Sequence, residues 1–239
     1  MISPTRLAAI AAAAGCCLLG VAAGAQATQS TSPSTLLSTA IKDAEASGSA
    51  HEVEMQTAKG FSSTTTADLG KTGGRELVVR PGGQRENVLV GSLAAYFSGT
   101  QAGLIHICGL PAAVARTVGS RWVSVPASSS GYGVIADGAL LAYSLGAFAL
   151  PGHLTETAAS AIGGQPVVAI HGQGKVGGAG SKTILSTTVY VTRSAKPLPL
   201  RAVYSYSTGG QITLSLSKWG ERIALTLPGN AIPISTLRK

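Results

Sequence analysis

Over most of the chain after residue 50, apolar and polar side chains alternate with a period of two, the pattern of a β-strand with one buried face. In the segment 51–57, Val53 and Met55 occupy the predicted dry face, while Glu52 and Glu54 occupy the predicted wet face. Further short strands are predicted at 62–69, 75–80, 85–90 and 93–97. Glycine pairs separate several of these strands, as hairpin turns require, so the pattern indicates an antiparallel meander.

The clearest alternation lies near the C-terminal end, where apolar residues occupy every second position of 211–217 and of 222–227. Strands of this kind have one dry and one wet face, so we expect an antiparallel sheet whose outside is open to water. The stretch 181–190, rich in Thr, Ile and Val, is also strand-like, and 121–126 is predicted to be a short extended piece.

Three stretches have helical patterns instead. Apolar residues recur at three- and four-residue spacing from Leu36 to Gly48, and Ser34 could cap the helix that they form. The Ala- and Leu-rich stretches 101–119 and 132–150 contain few strand formers and are predicted to be helical. The order of helix, strands, helices and more strands predicts an α+β fold, in which a twisted antiparallel sheet carries helices over its concave apolar face.

Composition supports one β-rich domain. The chain has 239 residues, of which 45% are apolar, 12% are charged and 31 are glycine, so it can bury a sizeable core between tight turns. Its formal net charge is +8, but the basic residues are scattered singly and do not form the cluster that a nucleic-acid site needs. We therefore expect either a solvated surface or a mild attraction to anionic lipid head groups or cell-wall polymers.

The N-terminus has the pattern of an export signal. Arg6 precedes an apolar run, and Ala25-Gln26-Ala27 offers a cleavage site, so residues 1–27 are predicted to be a signal peptide. Residues 28–34 would be a flexible tether and 35–239 the single domain. Two alternatives remain: Ala13-Ala14-Gly15-Cys16 is a degenerate lipobox in which Cys16 would be acylated, or the segment is an uncleaved anchor. In all three cases the domain is expected to be extracytoplasmic.

A series of short pieces in a fixed order carries a family resemblance: Gly91–Tyr96, Arg121–Pro126, Ile162–Val168, Val189–Val191, Pro197–Pro199, Ser217–Glu221 and Pro228. Together they resemble the LolA-like half-barrel lipoproteins of actinobacteria, including the mycobacterial LppX and LprG type. The resemblance covers the chain from about Thr35 to Leu237. It implies a half-barrel sheet wrapped over helices, a hydrophobic cavity for acyl chains, and extracytoplasmic carriage of lipids or glycolipids.

Such a cavity must be lined by apolar side chains, because one unsatisfied buried amide would cancel the contribution of several buried methylenes. The predicted inward strand positions are Val53, Met55, Leu77, Val79, Val168, Ile170, Leu214 and Leu225. The expected function is that of a non-catalytic, monomeric lipid or glycolipid carrier that contacts the membrane surface if Cys16 is acylated. The alternative is a module on the same fold that binds a protein or a cell-wall component.

Candidate chemistry is sparse. The string Gly172-Gln173-Gly174-Lys175-Val176-Gly177 matches GxGxxG, but a strand-like stretch follows where a dinucleotide site needs a helix, so we expect a hairpin loop and no cofactor. The four histidines have no metal-ligand spacing, and Cys108 is expected to be a small core residue rather than a reactive thiol. No serine-hydrolase elbow is present, so no catalytic site and no enzymatic activity are predicted.

Overall fold

A computed structural model describes residues 31–173 and 184–237. The first element, helix α1, covers Pro33–Ser47. The Ser32 side chain accepts a hydrogen bond from the Thr35 amide at 3.2 Å, and Pro33 fits the first helical turn because its φ is already near the helical value. Gly48, with φ of +84°, ends the helix. The helix therefore begins before the predicted cap, Ser34, and includes the last residues of the predicted tether.

Antiparallel hairpins account for most of the remaining chain. The strands are β1 (Ser49–Ala58), β2 (Phe61–Gly70), β3 (Gly74–Arg80), β4 (Gln84–Val90), β5 (Ala94–Gly99), β6 (Val123–Pro126), β7 (Thr155–Ile162), β8 (Gln165–Gly172), β9 (Ile184–Thr192), β10 (Pro199–Tyr206), β11 (Gln211–Ser217) and β12 (Ile232–Pro233). The helices are α2 (Gln101–His106), α3 (Ala112–Val118), α4 (Tyr132–Ala136) and α5 (Leu141–Gly146), with 3-10 turns at Asp137–Ala139 and Ile234–Leu237. None of these helices is both long and apolar enough to cross a membrane.

All the described strands belong to one sheet, in the order β12-β6-β5-β4-β3-β2-β1-β11-β10-β9-β8-β7. Only β12 and β6 run parallel to each other, among the strand pairs of the described residues. The sheet stays open, because β12 forms one edge and β7 the other. The central pairing of β1 with β11 joins the first meander to the last one, so strands far apart in sequence form the middle of the sheet.

The helices cover one face of the sheet, and the core between them consists of two clusters. In the first, Leu37 and Ala40 of α1 and Leu145 of α5 pack on the half of the sheet that contains β8–β11. In the second, Leu104 of α2 and Val118 of α3 pack on the half formed by β4–β6. The predicted fold class, an α+β half-barrel with helices over its concave face, is confirmed, and the predicted helical stretches 101–119 and 132–150 each contain two short helices.

One predicted strand is wrong. Residues 222–227 alternate as a strand would, but they pair with no other strand in the described structure. The reason is that β11 already pairs with β1 on one side and with β10 on the other, so it has no free edge for a following hairpin. The segment instead runs extended with Ile223 and Leu225 half-buried beside Gly70 and Gly73.

Candidate functional site

The interior face of β1 carries carboxylates. Glu52 is 5% exposed, whereas Met55 is 54% exposed. Residues directly opposite each other in an antiparallel pair share a face, and Glu52 lies opposite Leu216 while Glu54 lies opposite Leu214. The predicted faces of β1 are therefore reversed: Val53 and Met55 point away from the helices, and both glutamates point toward them.

The same reversal holds on β3. Leu77 and Val79 were predicted to point inward, but Leu77 lies opposite Thr66, which pairs with the outward-facing Val53. Val79 is 42% exposed, and its neighbour Val78 is 8% exposed. The strand instead points Glu76 and Val78 toward the helices. The physical reason is the two-residue side-chain period: once one position of a strand is buried, the faces of all its neighbours are fixed.

Four glutamates thus lie on the interior face. Glu52 and Glu54 come from β1, Glu76 from β3 and Glu86 from β4. Ala67 of β2 pairs with both Glu52 and Glu76, so the backbones of those two glutamates are two strand spacings apart, about 10 Å. The strands that carry them, β1, β3 and β4, lie in the middle of the sheet, between β5 and β11 in the strand order.

Three of these glutamates line an unfilled space of about 400 Å³ between the centre of the sheet and α5, which we name the carboxylate cavity. Its lining residues are Glu52, Glu54, Thr65, Glu76, Gly138, Tyr143, Ser144, Gly146, Ala147, Ala149, Leu150, Pro151, Ile184, Thr187, Tyr204, Tyr206, Ile212 and Leu214. One wall is apolar and the floor is acidic. Tyr143 lines the cavity yet is 63% exposed, so it stands at the opening.

Two hydrogen bonds fasten the helix α5 region over this cavity. The Ser144 hydroxyl donates to the Glu52 carboxylate, and the Tyr204 hydroxyl donates to the carbonyl oxygen of Ala147. Both connect the roof to strands in the middle of the sheet. Leu145 and Phe148, each at most 1% exposed, anchor the same segment in the first apolar cluster. The α5 region, which forms the roof of the carboxylate cavity, is therefore held in place both by hydrogen bonds and by apolar packing.

The glutamates have perturbed acidities because they are buried near one another. Burial raises the pKa of Glu52 from its ordinary value near 4.5 to about 7, against the opposing effect of the Ser144 hydrogen bond. Burial also raises the pKa of Glu76 to about 7, and repulsion from the three other glutamates adds to this effect. Burial raises the pKa of Glu54 and of Glu86 in the same direction. Near neutral pH the carboxyl groups of Glu52 and Glu76 are therefore partly protonated.

A second space, of about 470 Å³, lies at the other end of the interior face. We name it the apolar cavity; its lining residues are Phe97, Cys108, Leu110, Pro111, Val114, Val125, Gly131, Val134, Ile135, Ile234 and Leu237. Val134 is 83% exposed at its margin. Cys108 borders this space and donates its thiol hydrogen to Glu86, with a sulfur–oxygen distance of 3.0 Å. Burial and the adjacent carboxylate raise the pKa of the thiol, which is the opposite of what a nucleophile needs.

The predicted cavity residues are dispersed in the structure. Leu214 lines the carboxylate cavity. Val168 and Ile170 lie on the interior face, at most 2% exposed within the first apolar cluster, but they do not border the cavity. Leu225 lies in the extended segment after β11, and Cys16 lies outside the described residues.

The histidines form no metal centre in the described part of the chain, where no group of three or more His, Cys, Asp or Glu side chains could hold a metal ion. His51 instead contacts Asp68, with 2.7 Å between its Nδ1 and the carboxylate oxygen, on the outer side of the sheet. Residues 174–183 of the glycine-rich stretch lie outside the described residues, and strand β9 follows them rather than the helix of a dinucleotide site.

The carboxylate floor is the feature that the sequence interpretation missed. The alternating pattern of 51–57 is compatible with either face being buried, and hydrophobicity favours burying Val53 and Met55. A weak signal was available, since Glu52 and Glu54 recur with the same two-residue spacing as the buried Leu214 and Leu216. Their pairing across the sheet is a long-range contact that a single sequence does not specify.

No family model matches the chain, and no curated protein matches it significantly. Among solved structures, LprF from Mycobacterium bovis is similar over 83% of this chain and 97% of its own, with a TM-score of 0.56 and 17% identity. The Mycobacterium tuberculosis lipoprotein LppX is similar over 81% of this chain and 98% of its own, with a TM-score of 0.53 and 16% identity. The resemblance predicted from the sequence is thus confirmed at the level of the fold, which is the LolA-like half-barrel of these two proteins.

Proposed function

We propose that this protein is an exported, non-catalytic carrier that holds the acyl portion of a lipid or glycolipid against the concave face of its sheet. The observation that carries the proposal is the carboxylate cavity, an unfilled space between sheet and helices in a half-barrel fold. Ligand cavities in proteins typically have volumes of roughly 300–1,000 Å³, and this one falls within that range. The half-barrel fold is shared with the lipoprotein LppX, and the sequence resemblance to that family implies the same carrier function.

The cavity suits an amphiphile better than a wholly apolar chain. Leu150, Ile184 and Ile212 provide a wall on which methylene groups can pack, at roughly 0.8 kcal/mol for each buried CH₂. The acidic floor provides hydrogen-bonding partners for a polar head group. An acyl chain lying directly over Glu54 or Glu76 would be less favourable, because it would take their carboxyl groups out of water without a partner.

Catalysis is not part of the proposal. Glu52 and Glu76 are two acids in one cleft with raised pKa values, as acid–base catalysts often are. The Ser144 hydroxyl donates to Glu52, which is the contact between a nucleophile and its base, but no third side chain among the described residues hydrogen-bonds to Glu52 and orients it as that base. Cys108, with its raised thiol pKa, does not provide a nucleophile either. The cleft thus resembles a binding site more than a reaction centre.

The first test is native mass spectrometry of the protein purified gently from an actinobacterial host, followed by organic extraction and uptake of a fluorescent fatty-acid probe. A discrete adduct that extracts as a lipid, with saturable uptake of the probe, is the expected result. A clean ligand-free mass without probe uptake would contradict the carrier proposal. The N-terminal mass from the same sample distinguishes cleavage after Ala27 from acylation of Cys16.

A matched pair of variants locates the ligand. Gly146 lines the cavity, and a Cβ atom placed there would meet no atom within 4 Å, so Gly146→Trp should fill space without a backbone clash. Gly229 is equally open but lies far along the chain in an exposed segment, which makes Gly229→Trp the control. Uptake should fall at least tenfold in the first variant and stay unchanged in the second. Equal uptake by both would place the ligand elsewhere, and the apolar cavity would be examined next.

A second candidate function is a binding module for another envelope component. The outer face of the sheet favours it, because Met55 and Val79 leave 54% and 42% of their surfaces exposed there. Met55 of β1 and Val79 of β3 pair with Thr64 of β2 from its two sides, so the three residues form one row across the sheet. Apolar surface of this kind marks contact sites when it is contiguous. The double variant Met55→Ser with Val79→Ser should leave lipid uptake intact, so it separates this function from carriage.

A further inference from the structure

We propose that the outer face of the sheet carries a second binding site, a groove that takes an anionic oligosaccharide. The groove and the carboxylate cavity lie on opposite faces of the sheet, so this inference does not depend on the proposed carrier function. It rests on the length of the groove, the aromatic and apolar surface along it, the charged side chains at one end, and the backbone conformation of Lys218.

The groove crosses several strands. It is an unfilled space of about 470 Å³, which we name the outer groove. Trp122, directly before β6, borders one end, and His51 of β1 and Lys218 border the other. The strands β6 and β1 are five strand spacings apart in the sheet, so their backbones are separated by about 24 Å at about 4.8 Å per spacing. An elongated ligand fits such a groove better than a compact ion does.

One row of paired residues forms much of the floor. The row runs across β4, β3, β2 and β1 and consists of Leu89, Arg75, Asp68 and His51. Directly paired residues share a face, so all four side chains lie on the outer side of the sheet. Glu76 also borders the groove, but its carboxylate lies beside Gly138 on the interior face. The outer groove therefore has its own set of side chains.

The end near β6 suits the face of a sugar ring. Trp122 is half-buried, as are Leu77 and Leu89, which line the same space. A sugar ring presents C–H groups on its faces and hydroxyl groups around its edge, so it can pack on an indole while the edge forms hydrogen bonds. Asn87 lines this stretch and has an amide that both donates and accepts. A ligand that consists only of charges would leave this surface unused.

The other end of the groove suits an anion. It continues into a smaller space of about 240 Å³, whose charged lining residues are Arg75, Lys218, Arg222, His51, Asp68 and Glu221. The Asp68 carboxylate accepts from Nε of Arg75 at 2.5 Å and lies 2.7 Å from Nδ1 of His51, so it orients both side chains. Three permanently positive groups face two negative ones, and the whole chain has a net charge of +8. Both the lining and the overall field therefore favour a negatively charged ligand.

Lys218 has a backbone conformation that is costly for a lysine. Its φ is +50°, and among the described residues it is the one non-glycine residue with a positive φ. Glycine adopts this conformation without the steric penalty of a Cβ atom. The position directly after β11 nevertheless holds a lysine, and that lysine borders both spaces. Strained backbone of this kind is concentrated at functional sites, and a role of the ammonium group in binding accounts for it here.

The test compares three ligands by isothermal titration calorimetry of the purified protein at pH 7: tetragalacturonate, its fully methyl-esterified form and linear tetraphosphate. The first two have the same rings and linkages and differ in charge, whereas tetraphosphate has charges without rings. We expect tetragalacturonate to bind at least about tenfold more tightly than either of the others. Its affinity should fall as salt is added, because exposed charges are screened.

Two variants locate the ligand. Lys218→Gly removes an ammonium group and relaxes the positive φ, so it should weaken tetragalacturonate binding at least about threefold without lowering the thermal midpoint. Trp122→Leu removes the aromatic face and should weaken binding about tenfold. Lys59→Gly is the matched control, because it removes the same charge from an exposed turn at the opposite end of β1 from His51, and it should leave the affinity unchanged. Uptake of the fluorescent fatty-acid probe should be the same in all three variants.

Each result bears on the proposal. If tetraphosphate binds as tightly as tetragalacturonate, the groove recognises charge alone and the saccharide assignment fails. If the methyl ester binds as tightly, the anionic part of the assignment fails. Absence of binding by all three ligands, or full affinity in both groove variants, overturns the site itself. Weaker binding by Lys218→Gly at undiminished stability supports the site, since a lysine retained for a structural reason would not behave in this way.

Discussion

Replacing Glu52 by glutamine should make the ligand-free protein more stable at pH 8 but not at pH 5. The substitution keeps the shape of the side chain and an acceptor for the Ser144 hydroxyl, and it removes the group that titrates. In the folded protein burial raises the pKa of Glu52 from near 4.5 to about 7. The folded state therefore binds a proton more tightly than the unfolded state does.

The sign of the effect follows from linkage. A raised pKa contributes stability that is fully present below pH 4.5 and is lost as the pH rises through 7. A shift of this size corresponds to about 3 kcal/mol of unfolding free energy, because one pKa unit is about 1.4 kcal/mol. The stability of Glu52→Gln relative to the unsubstituted protein should therefore increase by about that amount between pH 4.5 and pH 8. Most proteins lose stability on acidification, so this contribution has the opposite direction.

Urea unfolding of delipidated protein, followed by tryptophan fluorescence at half-unit intervals from pH 4.5 to 8, measures this difference. Trp122 and Trp219 are both half-buried, so their emission should change on unfolding. Glu45→Gln, on the surface of α1, is the control and should follow the unsubstituted protein at every pH. If the unfolding free energies of Glu52→Gln and of the unsubstituted protein change in parallel with pH, the reasoning is refuted. Glu52 would then have the same pKa in the folded and the unfolded protein.

Four further substitutions test other parts of the structure. Tyr204→Phe removes the hydrogen bond to the Ala147 carbonyl and should lower stability by about 1 kcal/mol, with faster amide exchange in the α5 roof. Gly103→Ala places a Cβ about 2.1 Å from a carbonyl oxygen of β4, so it should lower the thermal midpoint and the unfolding free energy by about 3 kcal/mol, as chemical denaturation would show. Val78→Asp should destabilise by more than about 3 kcal/mol at pH 8, whereas the neighbouring Val79→Asp should change the unfolding free energy by less than about 1 kcal/mol. Similar losses for these two valines would contradict the assigned faces of β3.

Much of the architecture could be predicted from local pattern. The strands from 51 to 97 and the strand 211–217 lie close to their predicted positions, because alternation and glycine turns are local signals. The strand predicted at 222–227 is wrong for a non-local reason. Its alternation is real, as Ile223 and Leu225 are more buried than their neighbours, but strand formation needs a free edge, and β11 offers none.

The candidate site was less predictable. Leu214 does border the cavity, but Val53 and Met55 do not, because the pairing of β1 with β11 sets their face. That pairing joins residues more than 150 positions apart, and no local pattern specifies it. The alternation along a strand shows which of its residues share a face. It leaves open which of the two faces is buried.

The error on β1 is informative in itself. A prediction that buries Val53 and Met55 follows the hydrophobic effect, and it fails because the structure turns Glu52 and Glu54 to the interior face and buries Glu52. Local rules that agree nearly everywhere else along a chain tend to be broken at sites selected for something other than stability. A raised pKa at Glu52 means that the folded state is less stable at neutral pH than it would be with a neutral side chain there. Any ligand that binds the folded state and not the unfolded chain would offset that loss by mass action.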